Sequence, residues 1–195
     1  MREIMKRIAL LLQNNDIISP DKTEICAYGL ELMISTIGEI IIILLFSIFS
    51  GVLSETLLFF IAFIPLRIYA GGYHADNRLR CFLILIMVYI IFVIVINVIP
   101  NEWYRTFNIW APIVNIICVF MLAPISHQNR KQTTKEIHIF RKISIIISFA
   151  EFIILIAGVI ISDKSKLSFA FALGIFTNIC SMLSAEIKTK MKGGN

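Results

Sequence analysis

The sequence predicts an all-α integral membrane protein: six transmembrane helices preceded by an N-terminal amphipathic helix that lies on the membrane surface. Three observations predict it. The 195 residues are 58% hydrophobic and only 16% charged, with a mean hydropathy of +0.85, whereas soluble domains carry about a quarter charged residues. Uncharged runs long enough to cross hydrocarbon recur along the chain, and Lys and Arg collect in alternate gaps between them. A chain this apolar cannot coat a water-soluble globule. Soluble enzyme folds, disordered tails and nucleic-acid modules are therefore excluded as descriptions of the whole, and no nucleic-acid partner is expected. Four cysteines in 195 residues is ordinary usage, not a disulfide scaffold.

The elements follow in order within a single membrane domain, residues 1–195. Residues 1–15 form the interfacial helix, with Ile4, Ile8, Leu11 and Leu12 near one face and Arg2, Lys6 and Arg7 near the other, the pattern of a helix lying among headgroups. A signal peptide is not indicated, because no small-residue cleavage site follows and Gln13-Asn14-Asn15-Asp16 ends the run. A crossing needs about 20 apolar residues. The stretch from Ile25 to Leu66 carries three acids and no base, and holds two spans, 27–49 and 52–66, that turn at Ser50-Gly51. The second is short. Spans 81–99, 107–125 and 167–185 are uncharged, and span 143–161 contains only Glu151.

Counting Lys and Arg orients the chain. With the N-terminus inside, the inner segments hold Arg2, Lys6, Arg7 and Lys22, then Arg67, Arg78 and Arg80, then Arg130, Lys131, Lys135, Arg141 and Lys142, then Lys188, Lys190 and Lys192. The outer loops hold Arg105, Lys164 and Lys166. Fifteen inside against three outside places both termini in the cytoplasm. The basic loops also suit contact with membrane lipid headgroups.

One inner segment differs from the rest. Pro65 to Cys81 packs Gly71-Gly72, His74, Asp76, three Arg and a Cys into seventeen residues. A thiol beside an imidazole is the minimal machinery of acyl transfer, since the imidazole takes the proton and the sulfur attacks a carbonyl. An ordinary loop histidine and a small apolar cysteine explain the same two residues. On one continuous helix His74 and Cys81, seven apart, would stand about 10.5 Å apart along the axis, so the backbone has to fold back. Gly71-Gly72 permits that, and Asp76 or Asn77 can cap a helix beginning just after them. Cys81 then falls near the first turn of the third span, where the helix dipole with Arg78 and Arg80 suits a thiolate.

The run Arg67-Ile68-Tyr69-Ala70-Gly71-Gly72-Tyr73-His74, followed by Cys81 between the second and third of six spans, resembles the AgrB family of accessory gene regulator proteins. The likeness covers the whole chain in size, topology and basic loops, and is specific in its R-x-x-x-G-G-x-H-x(6)-C core. It implies a membrane-embedded cysteine endopeptidase of the bacterial cell membrane. Such a protein cleaves the C-terminal tail from an AgrD-like autoinducer propeptide and promotes cyclisation of the remainder to a thiolactone or lactone for quorum sensing. Carried over by residue, Cys81 is the nucleophile and His74 the general base, both on the cytoplasmic side. The resemblance also implies a homodimer and needs no cofactor. Arg67, Gly71 and Gly72 match family positions without fixed roles. Arg67 and Asn77 are candidate oxyanion donors beside backbone N–H groups at the helix start, and Asp76 is a candidate for orienting His74, although helix capping explains it equally well. Arg130, Lys131 and Lys135, with Arg141 and Lys142, can steer an acidic peptide tail, a role that competes with topology alone.

The other conspicuous residues have plainer readings. Cys118 and Cys180 lie in mid-span as packing residues, and Cys26 lies at the start of the first span. His127 and His138 are eleven apart and match no metal-ligand pattern, so no metal site is expected. Glu31, Glu39 and Glu151 are acids within apolar stretches, where an ionisable group either serves a function or bonds a neighbouring helix. Two other classes stay open: a small six-span peptide exporter using Glu39 and Glu151 with Cys81 non-catalytic, and a structural membrane partner indifferent to both Cys81 and His74.

Overall fold

A computed structural model describes residues 2–73, 78–125, 133–162 and 164–193. Among them the chain is helical with no strand. The helices are α1 (Arg2–Asn14), α2 (Thr23–Phe49), α3 (Leu53–Ala70), α4 (Arg78–Val98), α5 (Tyr104–Leu122), α6 (Thr134–Ile161) and α7 (Lys166–Gly193), with short 3-10 turns at Pro20–Lys22 and Asn101–Trp103. Helices α2 to α7 are each long and apolar enough to cross a membrane. They form two compact units, Met1–Phe49 and Ser50–Asn195.

In the first unit α1 packs on α2. Asp16 takes a left-handed conformation (φ 56°) just past α1, and the Ile17 N–H returns to the Leu12 carbonyl at 3.0 Å, so the freed carbonyls of the helix end are met. Thr23 Oγ1 at the start of α2 donates to Gln13 Oε1 at 2.7 Å. Met5 and Ala9 are buried, while Ile4, Ile8 and Leu11 stay exposed. The apolar stripe read from sequence is thus the open one, the surface an interfacial helix offers to lipid.

The second unit is built around α7, which packs against α3, α4, α5 and α6. From Phe169 to Ile175 its residues are buried on every side, as expected for a helical stretch that is apolar all round, whereas Phe176, Cys180, Leu183 and Ser184 beyond it form an exposed stripe. Small side chains bring the backbones close: a Cβ on Gly174 would stand 2.5 Å from the Phe59 carbonyl oxygen and 3.0 Å from the Ala62 Cβ, a small-residue contact of the kind that holds membrane helices together. Asn178 Nδ2 donates to the Phe63 carbonyl at 2.9 Å, and Thr56 Oγ1 pairs with Tyr89 OH at 3.0 Å. Lys166 at the start of α7 meets Asn97 Oδ1 at 3.1 Å and Glu55 at 3.8 Å. The starts of α3 and α7 and the end of α4 therefore share one end of the unit. The end of α3 and the start of α4 share the other.

Several helices run beyond the spans expected from sequence, among them α2, which begins at Thr23, and α7, which continues past residue 185 to Gly193. Helix α3 continues past residue 66 through Arg67 to Ala70, so Arg67 is helical rather than part of a loop. Helix α6 begins at Thr134 rather than near residue 143. Thr133 caps it by accepting from the Glu136 N–H at 3.3 Å, and Glu136 accepts from the Thr133 N–H at 2.8 Å, a reciprocal capping box.

A candidate active site at the start of α4

The site begins where α3 stops. Gly71 ends the helix at φ 80°, ψ −156°, and Gly72 follows at φ 145°, conformations that side chains with a Cβ rarely enter. Both glycines are also closely surrounded. A Cβ on Gly71 would meet the Ile125 carbonyl oxygen at 2.7 Å, and one on Gly72 would meet Arg67 Nη1 at 1.9 Å and Ser181 Oγ at 2.6 Å. The chain passes through a slot that admits only backbone.

Arg67 closes that slot from within α3. Its Nη1 donates to Ser181 Oγ at 2.9 Å and its Nη2 donates to the Tyr73 carbonyl. The Tyr73 N–H donates to the Ser181 carbonyl at 3.0 Å and to Ser181 Oγ at 3.1 Å. Lys188, two turns further along α7, sets its Nζ over the Tyr73 ring at 4.9 Å, a cation–π contact. The Ile125 N–H, just past α5, donates to the Ala70 carbonyl at 2.9 Å. Three helices thus fix the segment from Gly71 to Tyr73, and Tyr73 is the residue that precedes His74 in the chain.

Cys81 is the fourth residue of α4 and is exposed. Its sulfur lies within electrostatic range of the Arg67 guanidinium, the group that holds the glycine turn. The first N–H groups of α4 have no partner within the helix. Together these features provide an accessible sulfur, a neighbouring fixed cation and backbone donors.

The remaining sequence candidates divide into two groups. His74, Asp76, Asn77, Arg130 and Lys131 lie outside the described residues. Lys135 is exposed in the first turn of α6. Arg141 is exposed and its Nη2 donates to the Phe120 carbonyl at 3.1 Å. Arg67, expected as a substrate or oxyanion contact, has both terminal nitrogens bonded within the chain. Ser181, Ile125 and Lys188 were not singled out by sequence reasoning. Ser181 sits in an uncharged run 114 residues from Arg67, where nothing local marks it. Among the described residues no cluster suited to a metal ion is found.

The cysteines differ in setting. Cys118 packs against a buried cluster that includes Leu155, Ile175 and Ile179, Cys180 is exposed but lies within the apolar length of α7, and Cys26 is half-buried. Limited iodoacetamide treatment is expected to label Cys81 first, as read by peptide mass spectrometry, because only there does an exposed sulfur sit at the edge of its span beside a fixed cation. Earlier labelling of Cys118 or Cys180 would refute the assignment.

A multi-span helical membrane protein with a thiol at a helix start, beside an arginine-bound glycine turn, is the class that this architecture defines. The family model for accessory gene regulator B matches residues 5–184. The chain belongs to that family, whose role is peptide processing in quorum sensing. No curated protein and no solved structure matches it.

Proposed function

We propose that the protein is a cysteine endopeptidase of the bacterial cell membrane that removes the C-terminal tail of a short autoinducer propeptide and promotes ring closure of the remainder. The observation that carries this reading is the placement of Cys81, exposed in the first turns of α4 within electrostatic range of the same Arg67 that fixes Tyr73, the residue before His74. In the first half-reaction His74 takes the Cys81 thiol proton, and the sulfur attacks the carbonyl at the scissile bond. The resulting oxyanion is met by backbone N–H groups at the start of α4. The C–N bond then breaks, His74 returns the proton to the leaving amine, and the peptide remains as a thioester on Cys81. In the second half-reaction a Cys or Ser side chain of the peptide attacks that thioester, closes a thiolactone or lactone, and restores the Cys81 thiol.

Arg67 is a positioning residue in this scheme, holding the segment that carries His74 against α7. The Lys and Arg distribution supports a site on the cytoplasmic face, and Arg130, Lys131 and Lys135 supply positive charge for an acidic propeptide tail. A homodimer is carried by the family reading. The deciding experiment compares propeptide cleavage by membranes containing the wild type, Cys81→Ala or His74→Ala at matched expression. Cleavage should fall to background in both variants. Undiminished cleavage by Cys81→Ala would remove the peptidase reading and restore that of an exporter.

A further inference from the structure

A second set of polar side chains lies in the seam between α5 and α6, far along the apolar length of both helices. Asn108 and Asn115 share one face of α5. Ser144, Ser148 and Glu151 share one face of α6, and all five are more than nine-tenths buried. Asn115 Nδ2 donates to Glu151 Oε2 at 3.2 Å and to Ser148 Oγ at 3.3 Å. Ser148 Oγ in turn donates to the Ser144 carbonyl at 3.0 Å, and Ser144 Oγ to the Phe140 carbonyl at 2.8 Å. Four buried atoms of this set are left without a partner: Asn108 Nδ2 and Oδ1, two turns away along α5, and, in the bonded pair itself, Asn115 Oδ1 and Glu151 Oε1. The last two are acceptors, so whatever satisfies them must bring a hydrogen-bond donor or a positive charge.

The described residues supply no such charge. No ion pair to Glu151 occurs among the described residues, and its polar contact is the neutral amide of Asn115. The neighbouring packing is apolar, with Ala111 from α5, Leu155 from α6 and Phe171 and Ile175 from α7 in one buried cluster. An ionised carboxylate held there alone would forfeit its hydration with nothing in return.

We propose that Glu151 and Asn115 form a buried site for a single positive charge, a proton or a monovalent alkali cation, which neutralises the carboxylate and fastens α5 to α6. A proton on Oε1 lets the acid donate to Asn115 Oδ1 while Asn115 Nδ2 donates to Oε2, closing an acid–amide ring. An alkali ion instead takes both free oxygens as ligands. The site is separate from Cys81 and does not depend on the peptidase reading. It does bear on the catalytic end, because α5 leads directly into Ile125, which bonds Ala70 and packs on Gly71.

The test uses the full-length protein in lipid nanodiscs. Infrared spectra of the wild type minus Glu151→Gln should show a protonated-carboxyl C=O band that is indifferent to replacing choline with sodium or potassium, if the charge is a proton. If it is an alkali cation, thermal unfolding of the wild type should shift upward with sodium or potassium chloride relative to choline chloride at equal ionic strength, and the shift should vanish in Glu151→Gln. Glutamine keeps the shape and the amide pairing, so folding is expected to survive. Should it not, Asn115→Ser removes one of the two oxygens and should displace the band or abolish the salt-specific shift. A wild type showing an ionised carboxylate and unfolding that is the same in all three salts would overturn the proposal.

Discussion

Gly72→Ala is expected to lower propeptide cleavage by about 100-fold or more while leaving membrane insertion and helix content intact. The new methyl group would stand 1.9 Å from Arg67 Nη1 and 2.6 Å from Ser181 Oγ, so the guanidinium has to leave its seat. Moving a flexible side chain is usually cheap. Here it breaks the bonds from Arg67 to Ser181 and Tyr73, and hydrogen bonds to charged groups are worth about 1.5–3 kcal/mol each. The positive φ adds about 1–3 kcal/mol of backbone strain. Since about 1.4 kcal/mol is a tenfold change in rate, even partial transfer of these costs to the placement of His74 and Cys81 yields the stated loss. Gly51→Ala is the control. Gly51 also has a positive φ, 67°, but a Cβ there meets nothing within 4 Å, so only a modest stability cost is expected. Near-normal turnover by Gly72→Ala, measured beside circular dichroism of the purified variant, would show that the Arg67-bound turn does not position the catalytic pair.

The same turn shows which features were legible in the sequence. Residue type alone revealed that Gly71 and Gly72 redirect the chain, and that Cys81 falls at a helix start. The uncharged runs located the spanning helices because burial of apolar surface in lipid leaves a one-dimensional signal. What holds the turn was not legible, because the partner of Arg67 is a serine on α7, and a single hydroxyl in an apolar helix carries no mark of what it faces. A charge ends an apolar run and so marks Arg67 as a loop residue, yet Ser181 and Tyr73 bond its guanidinium and the helix continues. The early start of α6 is a different case. Thr133 and Glu136 stand in capping-box spacing, a signal present in the sequence but invisible to hydropathy, which marks only what lies in lipid. Glu151 could be flagged as a costly acid, whereas its pairing with Asn115 depends on the register between two helices.

A propeptide whose ring-closing Cys or Ser is changed to Ala is expected to acylate Cys81 and then stall, leaving a covalent adduct visible by intact mass. The thioester has two competitors, water and the peptide's own side chain. A tethered nucleophile held in reach has an effective molarity of up to about 10⁵–10⁸ M, far above the concentration of water, and a thiol is intrinsically the better nucleophile toward a thioester. Removing it leaves only hydrolysis. Cys81 lies at the edge of an apolar span, with Leu79 beginning the spanning stretch of α4, so water reaches the acyl carbon less freely than in an open cleft. Deacylation should consequently slow by at least about 100-fold relative to ring closure, a conservative fraction of the effective-molarity advantage. Quenched-flow mass spectrometry would then show one equivalent of tail released per Cys81, followed by a slow phase. Rapid multiple turnover to a linear acid would mean that the site admits water and that cyclisation happens elsewhere. Loss of both adduct and tail release would mean that the ring nucleophile is needed for binding, and that acylation does not precede recognition of the ring segment.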